Sequence, residues 1–310
     1  MIIRQLHGTT EETEPVAMLL PYTLALTMSA GMSLATCFTV FKWTNVMRDA
    51  GHGTMFMVFA SEGLWSLLSL ARMVGVYINN RLSTLEYGPI LHMTISSEIF
   101  FNTTSLWFMA VAYEIQRRAL NARSVQSSRV AMTWYTTVIF GLTLVMHITM
   151  TLLELLDVKI PITTNNGDVE MQHLVDHVLN YMTWFTWGTR SVSVVFAGLV
   201  ALWLYWQRAR VSFHRLPTAL MWIVSLFFVL NMPYLVQHTL RDVGVIEPNE
   251  SPMLTSALKC ATFLHGAIIS VIMGQAVGGF DVFFHVSRQF GGAKHLEFFV
   301  FSESQSVIRY

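Results

Sequence analysis

Ionisable side chains interrupt the long apolar runs of this 310-residue chain at Glu62, Arg72, Glu98, Arg190, Lys259 and His265. A charge at the centre of a membrane helix costs about 2.5–3.5 kcal/mol on insertion scales, so such groups face a bundle interior, pair with one another, or mark a functional site. Glu62 stands near the middle of its run, VFASEGLWSLL. There it is either a cation or proton site, or a neutral carboxyl hydrogen-bonded within the bundle. Arg72, Glu98 and Arg190 fall nearer the ends of their runs, placed to hold a charged ligand, to pair, or to snorkel to the interface. Lys259, in SPMLTSALKCATFLHGAIISVIMGQ, follows Pro252 by seven residues, about 10 Å along a helix axis. Its four-carbon stem can snorkel across most of that depth, or its ammonium can pair with Glu98. In HLVDH, His173 and His177 with Asp176 would suit zinc if they were helical. No cysteine joins them and the stretch sits in a polar loop, so solvated side chains and no metal are expected.

The elements that carry these groups follow from composition. The chain is 53% hydrophobic and only 12% charged, about half the charge of a soluble domain, with a mean hydropathy of +0.49. Its formal net charge is zero, so nothing draws it to nucleic acid. Cys37 and Cys260 both lie in apolar runs, without disulfide or metal spacing. A spanning helix needs about 20 mostly apolar residues. Seven segments qualify, near 16–41, 54–79, 89–113, 130–155, 179–206, 217–240 and 253–275. Glu11, Glu12 and Glu14 precede the first, which is too long for a signal peptide and is read as a retained span. The expected fold is therefore all-α: a seven-transmembrane-helix bundle over 1–275, with 276–310 forming a short amphipathic surface helix and tail. Phe280, Phe283, Phe284 and His285 mark that helix.

Loop charge sets the expected orientation. Lys42 and Arg48, then Arg117, Arg118, Arg123 and Arg129, then Arg208, Arg210 and Arg215 follow the first, third and fifth segments. The opposite loops are mostly acidic, with Asp157, Asp168, Glu170, Asp242, Glu247 and Glu250. The basic loops should face the cytoplasm, with the amino terminus outside and the carboxyl terminus inside. Asn249 then opens an external glycosylation sequon, whereas the NTT at 102–104 falls within the membrane.

Local patterns add to this topology. SLFFVLNMPYLVQ places Phe227 six residues before Pro233, followed by Tyr234. Glu62 sits in a run similar to Leu-Ala-x-x-Asp-Leu, and Glu114 in AVAYEIQRR matches the acid of an Asp-Arg-Tyr region. Trp134 comes early in the fourth segment, and FLHGAIISVIMG is similar to a decayed Asn-Pro-x-x-Tyr. Together the chain resembles a divergent rhodopsin-like (class A) G-protein-coupled receptor, nearest in character to invertebrate peptide receptors and chemoreceptors, including nematode ones. Asn231 stands in place of the usual Trp, Ile115 in place of Arg, and His265-Gly266 in place of Asn-Pro. The cysteine pair that ties the third segment to an outer loop is absent.

The resemblance implies an integral plasma-membrane receptor without enzymatic activity, detecting an extracellular chemical or peptide ligand and signalling through a heterotrimeric G protein. It implies a ligand pocket lined by Glu98, Arg190, Tyr234, Gln237, His238 and Lys259. It implies a cation or proton switch of Ser33, Glu62 and His265, with Glu114, Phe227 and Pro233 in the moving parts. Arg117, Arg118, Arg208, Arg210 and Arg215 would face the G protein. With His265 in the Asn position, Lys259 falls where opsins carry the lysine that binds retinal as a Schiff base, and Glu98 would be its counter-ion. No other cofactor is expected. A reading of another class, a multi-span transporter or membrane enzyme, would use Glu62, His265, His147 and Lys259 and would want broken spans with polar groups at one depth.

Overall fold

A computed structural model describes residues 19–43, 50–78, 88–120, 128–156, 159–163, 169–206, 216–242 and 252–277. Arg208, Arg210, Arg215, Asn249 and the expected surface helix at 280–285 lie outside the described residues, as do the side chains of Arg118 and His238. Helices occupy all seven apolar segments: α1 Leu19–Trp43, α2 Ala50–Ile78, α3 Gly88–Leu120, α4 Ser128–Leu155, α5 Leu174–Trp206, α6 Leu216–Asp242, and, for the last, α7 Pro252–Phe263 with α8 His265–Val277. Prolines start several of them. Pro89, Pro217 and Pro252 fall in first turns, where a missing N–H removes no helical hydrogen bond.

Two local departures from the expected elements are informative. Between α4 and α5 the chain forms an antiparallel hairpin, β1 Lys159–Thr163 and β2 Val169–His173, pairing Lys159 with His173. His173 therefore ends a strand while His177 is helical, and the two never share a helix face. Among the described residues no His, Cys, Asp and Glu cluster could hold a metal. The last segment is interrupted at Leu264, between α7 and α8. Bonds from Leu264 N to Cys260 O (3.0 Å) and from Ile268 N to Leu264 O (3.1 Å) carry the helical ladder across.

Among the described residues, four stretches are long and apolar enough to cross a membrane: Gly53–Gly75, Arg129–Leu155, Trp184–Trp206 and Met253–Met273. The chain is an integral membrane protein. The α4 stretch is the clearest case, because only 11% of its apolar window is buried against protein. Val138, Leu144, Val145 and Ile148 stand outward, a contiguous apolar face of the kind that meets a membrane. Trp134 is also turned outward, 65% exposed. Helices α1, α3 and α6 turn polar residues inward. Ser29, Ser33, Ser97, Asn102, Ser105, Asn231 and Gln237 are all buried.

Lipid-side hydroxyls are satisfied within their own helices. Thr27, Thr39, Thr133 and Thr189 each donate to the carbonyl four residues earlier, at 2.7–3.0 Å. With no water in a hydrocarbon layer, that is the acceptor within reach. Consecutive helices pack as neighbours, α3 also contacts α5, and α7 and α8 return to α1, so the chain closes on itself. Small residues set the closest approaches. A Cβ on Gly63 would lie 2.9 Å from Leu34 Cδ2, across the α1–α2 contact.

Candidate functional site

Glu62 and His265 meet in the interior. His265 Nδ1 lies 3.1 Å from Glu62 Oε1, and both side chains are almost wholly removed from solvent. The pairing depends on small residues around it. Helix α8 reaches α1 and α2 through Gly266, where a Cβ would collide with Ser29 Oγ, lie 2.7 Å from Ser33 Oγ and 2.8 Å from Glu62 Cγ. Ser66 Oγ donates to Ser29 Oγ at 3.1 Å. Glu62 Oε2, His265 Nε2 and Ser33 Oγ are buried without a hydrogen-bond partner. Three unmet polar atoms at one spot are unusual, since buried polar groups in native interiors are nearly always satisfied. Beside them Glu62, Thr104, Phe108, Phe227 and His265 wall a cavity of about 10 Å³, about the least that admits one water. The expected trio of Ser33, Glu62 and His265 is thus assembled.

The same centre touches α6. The His265 ring meets Phe227 edge-on, with centroids 4.7 Å apart, and Phe227 stacks on Phe108 of α3 at 5.6 Å. Phe227 is six residues before Pro233, which lies inside α6. Proline leaves the carbonyl four residues earlier without its helical donor and loosens the helix there. One turn away Thr262 Oγ1 of α7 donates to Leu230 O at 2.9 Å, fastening the loosened segment to the neighbouring helix.

Above the Phe227 ring lies Arg190 of α5, fully buried. Its Nη1 donates to Asn231 Oδ1 at 2.7 Å, and Asn231 Nδ2 in turn donates to Phe227 O at 3.0 Å. The guanidinium lies over the Phe101 ring and 5.0 Å from that of Phe227. Glu62 and Glu98 are its acidic neighbours within electrostatic reach. Asn231, which replaces a tryptophan in the resemblance, is therefore the partner of a buried cation. A single sequence carries no signal linking positions 190 and 231.

The remaining candidates are distributed. Gln237 Nε2 donates to Thr255 Oγ1 of α7 at 2.8 Å, and Tyr234 is half-buried on the same helix. Lys259 Nζ lies 5.3 Å from the Tyr22 ring of α1 and 5.9 Å from that of Phe263. At the far end of α3, buried Glu114 takes both Arg117 Nε (2.9 Å) and Arg117 Nη2 (2.8 Å), and Tyr135 of α4 donates to it at 3.0 Å. An arginine three residues after the acid closes a two-pronged clasp within the helix. Arg72 is half-buried, and His147 is exposed on α4, away from the Glu62 centre.

No family model matches the chain, and no curated protein matches it.

Proposed function

We propose that the chain is a seven-transmembrane receptor of the rhodopsin-like kind, with its amino terminus outside and its basic loops facing a heterotrimeric G protein. The observation that carries this reading is the packing of the Glu62–His265 pair on Phe227. That contact links a buried charge centre on α2 and α8 to the proline-weakened helix α6. A ligand that prefers one arrangement of α6 would shift the equilibrium by its differential affinity for the two states. Protonation or a cation at Glu62 would bias the same equilibrium. The clasp of Glu114, Arg117 and Tyr135 would hold the opposite end of α3 in the resting arrangement.

One observation favours a second reading, a proton-coupled transporter. The regular helix lapses for one residue at Leu264, directly before His265, while the hydrogen-bond ladder continues across it, and irregular backbone beside a buried ion site is a feature of transporters. Glu62→Gln separates the two. In the receptor it shifts basal G-protein activation or its sodium sensitivity. In a transporter it abolishes proton-coupled uptake into proteoliposomes. A folded Glu62→Gln protein with both properties unchanged would sink both roles for this residue.

A further inference from the structure

We propose that the Nε–Nη2 edge of Arg190 anchors the carboxylate of a small ligand, an inference that rests on the receptor reading above. A guanidinium offers five N–H donors and no acceptor. At Arg190 one edge is already taken, because Nη1 is held by Asn231 Oδ1 at 2.7 Å. Asn231 is itself fixed by its bond to Phe227 O. Aromatic rings cover the plane, with Phe101 lying against it and Phe227 at 5.0 Å. Nε and Nη2 are left buried and without partners. They share the side-on edge of the fork, the pair of parallel donors that matches the two oxygens of a carboxylate.

Among the described residues none supplies a carboxylate to that edge. Glu62 and Glu98 act on Arg190 only through their fields, and Glu62 spends one oxygen on His265. The surroundings select further. Arg190 is sixteen residues into α5, which begins beside the hairpin at Leu174, about 24 Å along the helix axis from that end. One turn nearer that end, Asn102 of α3 donates through Nδ2 to Thr186 Oγ1 at 2.7 Å. Its Oδ1 remains buried and unmet. A two-pronged donor with a lone acceptor one turn away suits a compact acid that also carries a hydroxyl or amino group. The cavity at Glu62 has room for about one water, so the body of the ligand lies outside it.

The test uses the full chain purified in detergent, with its thermal midpoint followed against acetate, propionate, L-lactate, succinate and benzoate. Lactamide and sodium chloride at matched ionic strength are the controls. At least one carboxylate, L-lactate foremost, is expected to stabilise saturably while lactamide and chloride do not. Arg190→Lys keeps the charge and removes the fork, and should weaken that effect at least tenfold. Asn231→Asp places a carboxylate on the guanidinium and should abolish it, which covers the case of a poorly folding lysine variant. Equal stabilisation by lactamide, no stabilisation by any acid of the panel, or full stabilisation in both variants would overturn the proposal. The readout needs no G protein. Stabilisation without signalling would therefore count against the receptor reading, while signalling without stabilisation would count against the carboxylate anchor.

Discussion

Replacing Gly266 by alanine tests whether helix α8 really meets α1 and α2 at the Glu62 centre. The added methyl would collide with Ser29 Oγ and sit 2.7 Å from Ser33 Oγ and 2.8 Å from Glu62 Cγ. All three are inside van der Waals contact, and none belongs to a long, freely swinging side chain. Overpacking of this kind costs about 1–3 kcal/mol. Alanine also returns about 0.5–1 kcal/mol of backbone entropy in a helix, so the net loss is smaller than the clash alone. Gly141→Ala and Gly188→Ala supply the reference, because nothing lies within 4 Å of a Cβ at either position. Both should be neutral or slightly stabilising. The difference between Gly266→Ala and these controls should then be roughly 1–3 kcal/mol, a factor of roughly 5–150 in the folded ratio. Both cysteines are unpaired, Cys37 buried and Cys260 half-buried, so a thiol-reactive dye reports unfolding on heating in detergent. Adding Ser29→Ala to Gly266→Ala removes the nearest obstacle and should recover part of the loss, a non-additivity expected only of touching residues. If Gly266→Ala melts with the controls, the close approach of α8 to α1 and α2 is wrong, and with it the assembled trio of Ser33, Glu62 and His265.

Two further outcomes follow from the geometry. Tyr135→Phe deletes one hydrogen bond to the buried Glu114 carboxylate, a loss of about 1.5–3 kcal/mol for a bond to a charged group. It should raise ligand-independent G-protein activation in a nucleotide-exchange assay, and an unchanged or lower basal rate would remove the clasp from the switching mechanism. Incubation with 11-cis-retinal should produce no visible absorption band, because the Lys259 ammonium rests beside Tyr22 and Phe263 on the α1 side. A band that disappears in Lys259→Ala would instead make the chain a photoreceptor.

Much of the architecture was written in linear composition. A run of about 20 apolar residues has no alternative to a helix in lipid, which is why all seven segments are helical. The hairpin at 159–173 was not legible, because five-residue strands in a polar loop lack a decisive period. Nor was the outward turn of Trp134, since an almost wholly apolar helix such as α4 does not declare which face meets lipid. The inward faces of α1 and α3 were easier to place, because their serines and asparagine have nowhere else to go.

At the candidate site the division has the same cause. The sequence alone placed Glu62, Arg190 and His265 within membrane segments and narrowed each to a few ends, a partner, a ligand or, for Arg190, the interface, since the cost of an unpaired charge there leaves few options. Which partner each took was decided by tertiary structure. Glu62 meets His265 from 203 positions away, Arg190 meets Asn231 across two helices, and Glu114 turns to Arg117 within its own. Hydropathy depends on residue type and is read along the chain. Pairing depends on the rotation of each helix about its axis and on contacts as small as Gly266, and those exist only once the helices have packed.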